Sequence, residues 1–147
     1  MAGVRPQSAF RRCGATRGVR YLMPDEDFRL TKITQLCRTL PETERALRGD
    51  HADFRVRQRV FAYFLNDHHG DGVISVCCKS ALGENLERVR SDPARFYLPA
   101  YIGARGWFGM RLDREPIDWH EVENILERSY RLIAPKRLAQ TLIQRNR

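Results

Sequence analysis

The chain has 147 residues and a mass of 17.2 kDa, with 42% hydrophobic and 10% aromatic residues, the size of one domain around one substantial core. No apolar run approaches the roughly 20 residues a membrane-spanning helix needs, so the composition reads as a soluble, cytoplasmic protein. The net charge of +8 and pI of about 9.9 point toward a polyanion, yet residues 1–24, with five arginines and no acid, supply five of those eight charges.

That first stretch (Arg5, Arg11, Arg12, Arg17 and Arg20 among glycines) has no apolar periodicity. Three readings stand open: a disordered tail, a transit peptide, or translated leader upstream of a start at Met23. The fold is expected in residues 25–147. From Asp27 to Leu40, Leu30, Ile33, Leu36, Cys37 and Leu40 recur at three and four, which predicts a helix ended by Pro41. Thr43–Asp53 is mixed, with room for a short strand. Phe54 and Val56 then alternate with Arg55 and Arg57, and Arg59–Leu65 forms a second, aromatic-rich run. Only Arg57–Gln58 turns between them, without glycine, so a loose or bulged hairpin is expected. NDHHGDG (Asn66–Gly72) is a strong turn before the β-branched Val73–Lys79, completing a three-stranded meander.

Ser80–Ser91 reads as a short helix with Leu82, Leu86 and Val89 on one side. Phe96–Leu98 suits a brief strand, and Trp107–Leu112 a last one. Asp118 is placed as an N-cap with Glu121 completing a capping box. Trp119, Val122, Ile125, Leu126, Tyr130 and Ile133 mark a long helix, and Pro135 suits the start of another, buried through Leu138 and Leu142. The sum is an α+β single domain. An antiparallel sheet of about five strands carries an N-terminal helix, a short middle helix and C-terminal helices.

No nucleophile elbow, P-loop or Rossmann glycine pattern appears, so nothing marks an enzyme. His68, His69 and Asp71 are ligand types without a second cluster, which favours a turn over a metal site. Cys13, Cys37, Cys77 and Cys78 lack CxxC spacing, and adjacent strand residues 77 and 78 face opposite ways. Reduced, buried thiols are expected. Three groups suit anions. Arg55, Arg57 and Arg59 project from the hairpin. Trp107 is either core or, with Arg105 beside it, a stacking platform. Lys136 and Arg137 stand at a helix start, where free N–H groups and the macrodipole favour negative charge.

HGDGVISVCCK (His69–Lys79), SDPARFYLPAYIGARGWFGMRLD (Ser91–Asp113) and IDWHEVENILERSYRLIAPKRL (Ile117–Leu138) resemble the YjbR/MmcQ family of small bacterial proteins. The likeness runs from about Leu30 to Leu142, with RGW, DW, SY and APKRL in order. The resemblance implies a fold like the frataxin-like (CyaY-like) and secretion-chaperone-like proteins, and DNA binding through a "double wing". Its wings would fall at Arg55–Arg59 or His68–Gly72, and at Arg105–Arg114. Two departures from the family pattern are the Arg57–Gln58 turn, where a glycine is usual, and the extension at residues 1–24.

The expectation is therefore a non-enzymatic binder of duplex DNA, without cofactor or metal and monomeric, using Arg55, Arg57, Arg59, Arg105, Lys136 and Arg137 on phosphates. The alternative is a protein- or small-anion-binding pocket around Trp107, Tyr130 and Lys136. A metal or redox protein using His68, His69, Cys77 and Cys78 is the remaining class.

Overall fold

The computed structural model describes residues 26–145; the arginine-rich tail and Cys13 lie outside them. Helix α1 (Phe28–Arg38) starts where the Asp27 carboxylate accepts from Arg29 N at 2.8 Å, and it buries Leu30, Ile33 and Cys37. Strands β1 (Thr43–Arg48), β2 (His51–Val56), β3 (Arg59–Asn66) and β4 (Ile74–Lys79) follow as an antiparallel meander. Helix α2 (Glu84–Ser91), the two-residue β5 (Phe96–Tyr97) and β6 (Trp107–Arg111) come next. Helices α3 (Trp119–Ile133) and α4 (Lys136–Arg145) complete the described chain. The sheet has six strands in the order β1-β2-β3-β4-β6-β5.

The α+β class is as the sequence predicts, with one strand more than the five expected. That strand is β1, which hides in sequence because it lies at an edge and buries neither face, so its side chains need not alternate. The β2–β3 turn is tight rather than loose. Arg57 and Gln58 both take positive φ, 51° and 69°, the geometry of a two-residue hairpin and a strain of about 1 kcal/mol or more each for side-chain-bearing residues. The bulge is also present: Phe54 pairs with Ala62 and Arg55 with Val60, leaving Phe61 without a partner on β2.

One face of the sheet is the core. Ala52, Phe54, Phe64, Val76, Cys78, Phe108 and Met110 meet Ile33 and Cys37 of α1 and Val122, Leu126 and Tyr130 of α3. The other face carries Asp53, Tyr63, Cys77 and Trp107, and there the Tyr97 ring lies directly over Gly109. A Cβ on residue 109 would stand 2.3 Å from that ring. Two local expectations change. Leu82 and Leu86 are 75% and 50% exposed, because α2 instead turns inward Asn85, which donates to the carbonyls of Gly103 and Trp107. Asp118 does cap α3 through His120 N and Glu121 N, but the Glu121 carboxylate accepts from Arg95 Nη1 at 2.6 Å.

One buried hydroxyl ties helix α3 to the middle of the sheet. Beyond the Ala62–Cys78 pair the β3–β4 ladder stops. Ser129 Oγ stands in the gap, donating to the Phe61 carbonyl at 2.6 Å and accepting from Lys79 N at 2.9 Å. Ser129→Ala strands a buried acceptor and a partly buried donor and should lower unfolding free energy by about 2 kcal/mol in urea titration. A change under about 0.5 kcal/mol, the size of an ordinary surface effect, would show that the hydroxyl holds nothing.

The carboxylates set the acid limit. The Arg29 guanidinium holds Asp27 below its usual 3.8, and Arg111 does the same for Asp113. A depressed folded pKa adds stability that is complete above about pH 4 and is lost as pH falls through the lower folded value. Unfolding should therefore set in below about pH 4, and Asp27→Asn should flatten the melting temperature's dependence on pH in that acid range.

Candidate functional site

The hairpin tip and the α3–α4 junction build the most cationic edge. Arg59 pairs with Val56, whose side chain is buried on the helical side of the sheet, and its Nη1 donates to the Ile133 carbonyl at 3.5 Å. That carbonyl is in the last turn of α3, where unsatisfied C=O groups and the dipole favour a cation. Ala134 leaves helical geometry at ψ 155° and α4 begins, with Leu138 N and Ala139 N bonded to the Pro135 carbonyl. Pro135 thus sits at the cap, and Lys136 and Arg137 are exposed in the first turn.

Arg57 reaches back to Glu42, Nε to Oε1 at 2.6 Å and Nη2 to Oε2 at 3.3 Å. This pair holds the Glu42 carboxyl below its usual 4.5, and the nearby Arg137 charge acts in the same direction. Arg57 and Arg137 thus act on the Glu42 carboxylate, Arg59 sits on the adjoining α3–α4 junction, and Lys136 precedes Arg137 in the exposed first turn of α4. Beneath this edge Tyr130 is fully buried against Phe61, and its hydroxyl donates to the Pro41 carbonyl at 2.7 Å.

The other residues expected at a site are elsewhere. Across the bulge Arg55 pairs with Val60 and turns to the opposite face, where it is bidentate to Asp53 at 2.9 and 3.2 Å. Arg105 is exposed, and its backbone carbonyl accepts from Lys79 Nζ. Trp107 is 7% exposed and packs on Tyr63 at 5.4 Å, a core residue of the outer face rather than a stacking platform. The pocket expected around Trp107, Tyr130 and Lys136 does not assemble, because the sheet lies between the tryptophan and the tyrosine.

Among the described residues no group of three or more His, Cys, Asp or Glu side chains is arranged to hold a metal ion. In the histidine turn, Asp67 accepts from Gly72 N and Asp71 from Val73 N, so both carboxylates are committed to the backbone. Cys77 and Cys78 face opposite sides of β4. Burial pushes the Cys77 thiol up to about 11 and raises Cys78 and Cys37 as well, so these thiols stay protonated.

Sequence reasoning missed two concavities. One, of about 460 Å³, opens on the outer sheet face beside Asp53, His51, Tyr63 and Tyr101. The other, of about 330 Å³, lies between α2 and α3 and is lined by Arg88, Arg128 and Arg131. The first had a faint signal in Asp53, an acid at mid-strand between Ala52 and Phe54. The second had none, since its arginines come from helices nearly forty residues apart.

Among solved structures the chain is similar to Deinococcus radiodurans protein DR2400, whose domain is described as DUF419. That likeness has 18% identity and a TM-score of 0.58 over 70% of this chain and 76% of that one, and it supports the fold alone. No curated protein matches. The YjbR family model matches residues 38–132, from the end of α1 through nearly all of α3, so the meander, the Ser129 tie and the Gly106–Trp107 turn all fall inside it, and the chain belongs to the YjbR family.

Proposed function

We propose that the protein is a non-enzymatic, cytoplasmic DNA-binding module that holds duplex phosphates along the edge formed by Arg57, Arg59, Lys136 and Arg137. The observation that carries this reading is the Arg59–Ile133 contact, which seats the hairpin tip on the α3–α4 junction. Two cationic elements far apart in sequence thereby share one edge. Glu42 offsets one of the four charges and orients Arg57. The N–H groups at the α4 start add a site where an anionic oxygen is favoured.

Binding of this kind positions a duplex without reading its sequence, since contacts to phosphate carry no base information. Arg55, Arg105 and Trp107 take no part in it. Affinity should fall with salt and differ little between unrelated duplexes. Each lost phosphate contact removes about 0.9 from the slope of log K against log salt, so Lys136→Ala with Arg137→Ala should flatten it by ~2. The comparison belongs in the full chain and in a chain beginning at Met23, which separates the tail's arginines from the folded edge. Absence of binding at low salt by the chain from Met23 would refute the reading.

A further inference from the structure

The outer face of the sheet carries a cavity that phosphate binding along the cationic edge does not use. Its lining comes from the end of β1, β2, β3, the histidine turn and the Pro99–Ile102 loop, with no residue of α1–α4. At about 460 Å³ it falls in the range of small-molecule sites.

Its polar end is built on a buried acid. The Asp53 side chain is only 5% exposed and pairs with two guanidiniums, Arg55 at 2.9 Å and Arg48 at 3.3 Å. Glu44, opposite Arg55 in the β1–β2 pair, adds a second carboxylate acting on Arg55, which leaves Arg48 as the cation most open to a ligand. Arg48 is 67% exposed and meets Asp53 through Nε at 3.3 Å, so its guanidinium also faces solvent. Arg55 uses Nε and Nη2, leaving Nη1. The polar end thus offers Arg48, with Arg55 Nη1 beside it, to one ligand carboxylate, and it is too weakly cationic for a polyphosphate.

Its apolar end rests on the sheet. Val60, Tyr63 and Leu65 form the floor. His51 Nδ1 accepts from Asn66 N at 3.0 Å, and the His68 ring meets the His51 ring edge-on at 5.2 Å. Burial, with His69 and His51 close by, holds His68 below its ordinary 6.5. At the rim stands Tyr101, 90% exposed and at φ +68°, a conformation that favours glycine. A tyrosine kept there has a ring with almost nothing of its own chain to pack on.

We propose that this cavity binds a small aromatic monocarboxylate, its ring between the Tyr63 floor and Tyr101 and its carboxylate on Arg48 and Arg55. The test titrates the full chain with 2-naphthoate and with its neutral amide, by calorimetry and by ¹H–¹⁵N NMR. Naphthoate should saturate and shift the amides of β2 and β3 near Tyr63, and the neutral amide should bind at least ~10-fold more weakly. Arg48→Ala, at an exposed position, should leave the melting temperature unchanged and weaken naphthoate by ~10-fold. Tyr101→Gly removes the ring and relieves the backbone, so binding should weaken several-fold while the melting temperature holds or rises. Equal binding of acid and amide, no saturation below about 10 mM, or full affinity in either variant would overturn the proposal. DNA binding is read separately, so either proposal can fail without the other.

Discussion

The fold depends on how β3 and β4 part company. Antiparallel strands that stop pairing leave donors and acceptors that still need partners when buried. Here a single serine hydroxyl, on a helix far along the chain, accepts from one strand and donates to the other. It fixes the rotation of α3 as well as its distance from the sheet. Tyr130, the next residue, is thereby aimed past Phe61 at the Pro41 carbonyl. The α1–β1 link, the bulge and the long helix are locked by adjacent residues of one turn. Dispersion and apolar burial supply most of the cohesion, but these directional bonds decide which packing is adopted.

The bulge at Phe61 has a second consequence. It shifts the register so that Arg55 and Arg59, four residues apart across a tight turn, leave the hairpin on opposite faces. Arg59 joins the helix junction and Arg55 joins buried Asp53. The molecule therefore has two cationic places of different character. The edge at Arg57 and Lys136 is open to solvent. The outer-face cavity is concave and largely apolar, with the exposed Arg48 at its polar end. The six non-glycine residues with positive φ among those described divide between them: Glu42, Arg57 and Gln58 at the edge, and Asp67, His69 and Tyr101 around the cavity. Strained backbone of this kind persists where its surroundings over-determine it.

The motifs that carry the family likeness are joints rather than ligand contacts. Gly106 of RGW has φ +95°, and a Cβ there would stand 2.5 Å from the Ser80 carbonyl oxygen. Its own carbonyl accepts from Ser80 N and Ser80 Oγ. Asp118 of DW caps α3, and Ser129 and Tyr130 of SY tie it down. Lys136 and Arg137 of APKRL are the exception, exposed at a helix start. A likeness carried by such residues speaks for the fold with much more force than for a bound partner.

The sequence by itself determined the elements whose signals are local. Periodicity of three and four marked α1 and α3, alternation marked β2 and β6, a β-branched run after a strong turn marked β4, and Asp118 and Pro135 marked helix starts. Each depends on residues within a turn or two of one another. Lys136 and Arg137 were legible as cations at a helix start for the same reason. Only the tertiary structure decided which candidates share a surface. Edge strand β1 has no burial pattern to read. The two faces of a sheet assigned Trp107 and Tyr130 to separate environments, and a one-residue bulge divided the arginines of one hairpin. The outer-face cavity joins β1, β2, β3 and a loop more than thirty residues downstream, and the register that brings them together is set by pairing between distant strands, which no local pattern encodes.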